Sequence, residues 1–397
     1  MPKKLVLVCL INFLIAALMG LALRYTSIDP IPINYKFLTH GHSHVAMLGW
    51  VYLMLFTLIV HYFIKDKKQI YNRLFWLTEF AVIGMMISFP IQGYAAVSIS
   101  FSTLHIFCSY YFAYLVWKHH NTSSIVTRHL LRTALVFMLL STLGVWCLGP
   151  AVALLGSASA FYQIAIQFFL HFQFNGWFLI AVIAVFFHLL QIQDSKLFRL
   201  FYKTLILSIF LSLALPIHWY APHSPLFWIN AFGVILQLIS FVLFFKLIVS
   251  KLNLVLKHNT KLSVHVYTFA IVCFGLKMGL QVLSLIPEIS QSIYQHRNVV
   301  IGFIHLTLLG AISGFLLSFI IQSRLVTYTK GLYLGVYIFI LGFVITELLL
   351  IIQGYKFHSG SGLIANYYLL LFLSSMLLPI GILSIVFNIY KTPSKAP

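Results

Sequence analysis

The stretch HGHSHVAMLGWVYLMLFTLIVHYFI, residues 40–64, begins with three histidines and continues as an almost unbroken apolar run. A helix needs about 20 apolar residues to cross roughly 30 Å of hydrocarbon, so this run has the length of a membrane span. Imidazoles gain nothing from entering lipid, and ionisable groups inside a span usually serve a function. The stretch therefore predicts a membrane helix with potential ligands at one end.

The rest of the chain has the same apolar character. Of the 397 residues, 61% are hydrophobic and 8% are charged, whereas a soluble domain of this size needs far more charge on its surface. We predict an all-α polytopic membrane protein with 12 transmembrane helices, forming a single bundle over 1–397 without a soluble domain. The twelve apolar windows lie at about 5–24, 42–64, 74–93, 96–117, 131–154, 162–190, 200–219, 226–249, 264–286, 299–321, 331–353 and 367–389.

The net charge of +19 is distributed asymmetrically. If the N-terminus is cytoplasmic, twenty of the 25 Lys and Arg residues fall in cytoplasmic tails and connections. Four residues (Arg24, Lys36, Arg297 and Lys356) fall outside, and Lys277 lies within a span. This is the positive-inside pattern, which predicts that both termini are cytoplasmic. The charge thus orients the chain in the membrane, and we expect no nucleic-acid partner.

Known sequence motifs narrow the function further. The chain has no GxxxxGK[ST], GxGxxG or GxSxG motif, so nucleotide hydrolysis and serine esterase chemistry have no visible machinery. Its four cysteines all fall in predicted spans without the spacing of a metal site. The two halves show no convincing repeat, which weakens a transporter interpretation.

With this orientation, most histidines within the spans lie in the outer half of the bilayer, at depths of roughly 0–14 Å. They are His40, His42, His44, His105, His171, His218 and His305. Any single one could be an interhelical hydrogen-bond partner, and the first two could be hydrated loop residues. Several imidazoles lie at one depth, and the chain has only six carboxylates that could pair with them. This favours a metal ion or haem iron that the imidazoles coordinate.

Three segments support a more specific interpretation: LTHGHSHVAMLGW (38–50), QFFLHFQFNGWF (167–178) and GFIHLTLLGAISGF (302–315). They resemble spans 2, 6 and 10 of the haem–copper oxidase subunit I superfamily, which includes oxygen-reducing oxidases and nitric oxide reductases. That superfamily also has twelve spans with both termini inside. The resemblance covers the whole chain as topology and about 40 residues as motif.

The resemblance implies a set of ligands. His44 or His42 would pair with His305 as the axial ligands of a low-spin haem, which we expect to be b-type. His171 would stand where the copper or non-haem iron ligand stands, with His105 and His218 as further metal-ligand candidates. The resemblance also implies electron transfer or O2/NO chemistry, a cytochrome or quinol electron donor, partner subunits, a small gas ligand and the bacterial cytoplasmic membrane.

The chain departs from the superfamily at two places. The superfamily has a second histidine two residues before the span 10 ligand, where this chain has Phe303. Its adjacent histidine pair on span 7 is also missing, and only His218 and His223 lie nearby. The ligand set of a dinuclear oxygen-reducing centre is therefore incomplete, so the sequence supports haem binding better than oxygen reduction.

Two alternatives remain. HSHVAMLG (42–49) also resembles the H-x-H signature of the NnrS family, twelve-span haem and copper proteins associated with nitric oxide stress, which implies gas binding without turnover. A transporter with a histidine-lined pathway is the other. Two further ionisable residues, Lys277 and Glu347, are predicted in the outer half of spans 9 and 11, either as an interhelical ion pair or as proton or haem-propionate partners.

Overall fold

The computed structural model describes residues 1–251, 260–323 and 325–393, and these residues form helices and no β-strand. Twelve helices are long and apolar enough to cross a membrane, which confirms the predicted all-helical class and number of spans. They are Lys3–Tyr25, Tyr35–Phe63, Gln69–Gln92, Ala96–His119, Ile125–Leu155, Ala160–Leu189, Lys196–Tyr220, Ser224–Val249, Lys261–Leu283, Asn298–Gln322, Lys330–His358 and Tyr367–Lys391, here called spans 1–12. Residues of the charge and histidine analysis that lie outside the described part are Lys257, His258, Arg324 and Lys395.

Polar caps, which hydropathy does not detect, set several helix starts. Span 5 begins at Ile125, before its predicted window, because the Ser124 hydroxyl accepts a hydrogen bond from the Thr127 backbone N–H. The Thr329 hydroxyl caps span 11 in the same way, with the Leu332 backbone N–H as donor. Polar first turns thus remain helical outside the apolar window.

The chain forms two compact units, each described by itself, and the prediction of a single bundle stays a prediction. Unit 1 comprises Met1–Asn121, Lys261–Phe269 and Leu316–Pro397. Within it, span 1 packs against spans 2 and 12, and spans 11 and 12 pack against each other. Lys3 near the N-terminus donates to the carbonyl oxygen of Tyr390 at 2.9 Å, at the end of span 12.

Unit 2 comprises Thr122–Thr260 and Ala270–Phe315. Within it, span 5 packs against span 6, and span 7 packs against span 8. Gly233 of span 8 allows the second contact, because a Cβ there would lie 2.8 Å from the backbone nitrogen of Ser212 in span 7. Small residues permit such close helix approach in lipid, where the hydrophobic effect does not drive helices together.

Spans 2 and 6 are the most enclosed helices, with 78% and 72% of their apolar windows buried. Span 1 has 33% of its window buried, and span 4 has 39%. Large side chains on less enclosed spans, such as Ile91 and Leu154, are exposed, as expected for contact with the bilayer. Two of the helices that carry the histidine motifs are therefore the most enclosed of the described helices.

Candidate functional site

Three spans change their helical geometry directly after a histidine. In span 2 the α-helix ends at His44 and a π-helical segment follows over Val45–Tyr52. The same change follows His171, with a π segment over Phe172–Phe178, and His305, with a π segment over Leu306–Ile312. π-Helical segments are rare and occur frequently at functional sites.

The backbone makes this transition in the same way three times. The N–H of the residue after each histidine is shared between the carbonyl oxygens three and four residues earlier. For Val45 these acceptors are Gly41 and His42. The N–H groups of Phe172 and Leu306 have the equivalent pairs of acceptors. The histidine thus marks the position at which α-helical hydrogen bonding changes to π-helical hydrogen bonding.

A short sequence pattern, which hydropathy does not reveal, accompanies the transition. HVAMLG (44–49), HFQFNG (171–176) and HLTLLG (305–310) share the form H-x4-G. The histidines stand 127 and 134 residues apart, and each interval contains the starts of four spans. A comparison of two halves does not reveal this pattern, because the repeating unit is a third of the chain.

The glycine of the motif permits a close helix contact. A Cβ on Gly49 would lie 2.9 Å from Val82 and 3.1 Å from Asn12 of span 1. A Cβ on Gly176 would lie 2.6 Å from Phe137 of span 5. In unit 1, span 1 therefore packs directly against the π segment of span 2. In unit 2, span 5 packs in the same way against the π segment of span 6.

The two inner histidines of the opening stretch are anchored through the same ring atom. His42 Nδ1 lies 2.8 Å from the carbonyl oxygen of Ala16, and His44 Nδ1 lies 2.8 Å from that of His40. A carbonyl oxygen can only accept, so each Nδ1 carries the proton and each Nε2 presents a lone pair. An imidazole oriented in this way by its second nitrogen is typical of metal ligands.

The surroundings distinguish His42 from His44. A Cβ on Gly20 of span 1 would lie 2.9 Å from His42 Cε1, so the His42 ring fills the space beside that glycine. The His44 ring stacks on Phe89 of span 3, with ring centroids 4.2 Å apart. His42 thus links spans 1 and 2 through a hydrogen bond, and its role at a cofactor stays a prediction.

His105 in span 4 joins His44 in unit 1. Its side chain is 3% exposed and lies within electrostatic range of His44. Its Nδ1 lies 3.4 Å from the Ser109 hydroxyl, and its Nε2 is buried without a hydrogen-bond partner among the described residues. Buried polar atoms are normally paired, so this Nε2 calls for an explanation. The ring of Tyr52, from the π segment of span 2, packs edge-to-face with the His105 ring, with ring centroids 4.7 Å apart.

In unit 2 the predicted ligands are arranged differently. His171 Nε2 donates to the carbonyl oxygen of Ile209 in span 7 at 2.7 Å, so only Nδ1 of this ring can present a lone pair. At the end of span 7, His218 Nδ1 lies 3.2 Å from the carbonyl oxygen and 3.3 Å from the backbone nitrogen of His223, which ties His218 to its own loop. His305 is half-buried at the end of the α-helical part of span 10.

The two intramembrane charges lie in different units. Lys277 in unit 2 is 1% exposed and donates to Gln281 Oε1 at 2.9 Å. Glu347 in unit 1 is 7% exposed and interacts electrostatically with Arg24. The predicted ion pair between Lys277 and Glu347 stays a prediction. Glu347 thus has a basic neighbour within its own unit, Arg24, which the sequence did not indicate.

Among the described residues, no three His, Cys, Asp or Glu side chains are grouped so that they could hold a metal ion. Haem makes a smaller demand, since its iron needs one or two axial imidazoles. The lone pair on His44 Nε2 and the unpartnered His105 Nε2 fit imidazole ligation. The residues present therefore suit haem better than a copper or non-haem iron centre built from three side chains.

Known proteins offer no further guide. A search of protein-family models and of curated proteins finds no match to this chain.

Proposed function

We propose that this chain is a haem-binding integral membrane protein that resembles subunit I of haem–copper oxidases and nitric oxide reductases. The observation that carries the proposal is the histidine at the α-to-π transition of spans 2, 6 and 10. In span 2 the surrounding structure also orients that imidazole, since the His44 Nδ1–H is held by a backbone carbonyl. A repeated ligand position on enclosed helices is what a buried cofactor requires.

His44 and His305 would hold the iron, as the family resemblance implies. His42 would stand beside the cofactor, where it could contact a propionate or water. Haem, when bound, supplies one-electron redox chemistry, and a small gas such as O2 or NO would bind there by displacing one of the two imidazoles. The protein would supply the imidazoles, exclude water from the apolar site and orient each ring through its second nitrogen.

A second metal, copper or non-haem iron, has its best candidate in His105. Its Nε2 is unpartnered, whereas His171 Nε2 is already hydrogen-bonded to Ile209 and His218 is tied to its loop. His171 would therefore bind a metal through Nδ1. This difference supports a site in which the second metal is held weakly or not at all.

One observation favours gas binding without turnover, as in the NnrS family. Phe303 occupies the position of a ligand in the oxidases, and its ring lies 5.7 Å from Lys277 Nζ. The position is thus filled by an aromatic contact with a cation. We expect at most one tightly held six-coordinate haem per chain and weak oxygen reduction. If turnover occurs, a cytochrome or quinol in the bacterial cytoplasmic membrane would supply electrons.

The test is a pyridine haemochrome assay on the purified protein, followed by measurement of oxygen and nitric oxide consumption. Stoichiometric haem with little consumption supports the gas-binding form, and rapid consumption supports an oxidase or reductase. Two haems per chain with vigorous oxygen reduction would show that other residues replace the missing ligands. Absence of haem from protein made with an ample haem supply would overturn the proposal and favour the transporter.

A further inference from the structure

Lys277 is a buried lysine whose hydrogen-bonding capacity is mostly unused. Its side chain is 1% exposed, and Nζ donates to Gln281 Oε1 at 2.9 Å. An ammonium has three N–H donors, and the described residues provide no second acceptor. The ring of Phe303, 5.7 Å away, offers an electrostatic contact with its face and no lone pair.

No carboxylate compensates this charge within unit 2. The acidic residues of that unit are Asp194 and Glu288, and both lie outside the spans. Asp194 pairs with Arg199 at 2.6 Å, and Glu288 is exposed on the short helix Pro287–Gln295. A buried ammonium without a counter-charge is strongly unfavourable, so the site requires an anion or a neutral lysine.

Two glutamines, Gln281 and Gln237, form a hydrogen-bonded chain with Lys277 and have further polar atoms without hydrogen bonds to the described residues. Gln281 Oε1 accepts from Lys277 and also from Gln237 Nε2 at 2.6 Å. The two N–H donors of the Gln281 amide have no hydrogen bond to a described residue. Gln237 is 6% exposed, and its Oε1 is buried without a partner among the described residues. This unsatisfied acceptor calls for a hydrogen-bond donor, such as a water or a protonated ligand oxygen, beside the glutamine pair.

The ammonium lies beside candidate cofactor ligands of the same unit. It is within electrostatic range of His171 in span 6. Phe303, which it contacts, stands two residues before His305 in span 10. A negatively charged group held by Lys277 would therefore sit next to the helices that carry both histidines.

We propose that Lys277 and the Gln281 amide form a binding site for a single small oxyanion. The ammonium would supply the charge, the amide would supply further N–H donors, and a water or a protonated ligand oxygen would donate to Gln237 Oε1. The oxyanion could be a haem propionate, which rests on the proposed function, or a free monovalent anion such as formate. Both present the same carboxylate chemistry to the site.

The test is calorimetric titration of sodium formate into the purified full-length protein at constant ionic strength. We expect saturable binding of one formate per chain when the protein is made without added haem. Lys277→Met should weaken this binding about tenfold or more, because a charged hydrogen bond is lost. Lys203→Met, at an exposed lysine near the start of span 7, is the control for loss of a lysine elsewhere and should bind formate normally.

Haem loading identifies the source of the oxyanion. If a propionate occupies the site, haem abolishes formate binding and Lys277→Met loosens haem. If the ligand is a free anion, formate binds equally with and without haem. Should Lys277→Met not fold, Lys277→Gln removes the charge and retains a donor, and it should still weaken formate. Wild-type protein that binds no formate in either state, or variants that bind it as tightly, would overturn the proposal, whatever the haem content.

Discussion

The Nδ1 atom of His44 lies 2.8 Å from the carbonyl oxygen of His40, one turn earlier in span 2. The acceptor is a backbone atom, so any residue at position 40 supplies it. The orientation of His44 therefore depends on the helix and not on the neighbouring imidazole. This separates the contributions of the two histidines experimentally.

We expect His44→Ala to abolish the low-spin haem spectrum and His40→Ala to leave it nearly unchanged. The first removes the candidate iron ligand, and the second retains the carbonyl that orients it. His305→Ala should also abolish the spectrum. Absorption spectra of reduced proteins measure this, and added imidazole should partly restore the His44→Ala spectrum. If His42→Ala loses the spectrum and His44→Ala keeps it, the ligand is His42.

Substitution of the motif glycine tests the π segment. Gly49→Ala would place a Cβ 2.9 Å from Val82 and 3.1 Å from Asn12, so span 1 or span 3 must move. Such overpacking destabilises by about 1–3 kcal/mol, and we expect a lower melting temperature in detergent. The control is Gly279→Ala in span 9, where a Cβ meets nothing within 4 Å. An equal melting temperature for both variants would contradict the packing argument.

Topology reporters test the orientation on which the histidine depths rest. A reporter after Lys395 and one in the 65–73 connection should both be cytoplasmic, because basic residues favour that side. Reporters in the 155–160 and 290–297 connections should lie outside. A C-terminal reporter on the outer side would mean an odd number of spans and would remove the shared depth of the histidines.

The connection between spans 6 and 7 gives a pH-dependent prediction. Hydrogen bonds from the Arg199 guanidinium lower the pKa of the Asp194 carboxyl below its ordinary value. A depressed pKa contributes stability above about pH 4, the value in the unfolded chain, and this contribution disappears as the pH falls through the folded-state pKa. Asp194→Asn should therefore melt slightly lower than wild type at neutral pH and identically in acid. Because the pair is exposed, the difference should also shrink at high salt.

Much of the architecture could be predicted from the sequence. A span in lipid must satisfy its own backbone hydrogen bonds and bury roughly 20 apolar residues, and both demands are local. The predicted window at 96–117 thus corresponds closely to the helix Ala96–His119. Helix starts were less accurate, as at Ile125, because capping depends on single polar residues outside the apolar window.

The candidate site was harder to predict. Hydropathy placed His105 and His44 at a shared depth but did not show that they belong to one unit. It also did not reveal that His171 Nε2 is used by the Ile209 carbonyl, or that Lys277 lies beside Phe303. Such contacts depend on how helices distant in sequence face one another.

The helical membrane class, the twelve spans and the presence of histidines within them follow from the sequence alone, because they depend on length and polarity along the chain. Only the tertiary structure decided which ring nitrogen each histidine presents and which buried groups remain unsatisfied. The physical reason is that an imidazole is oriented by the partner of its second nitrogen. For His42 and His171 that partner lies on another helix, at Ala16 and Ile209.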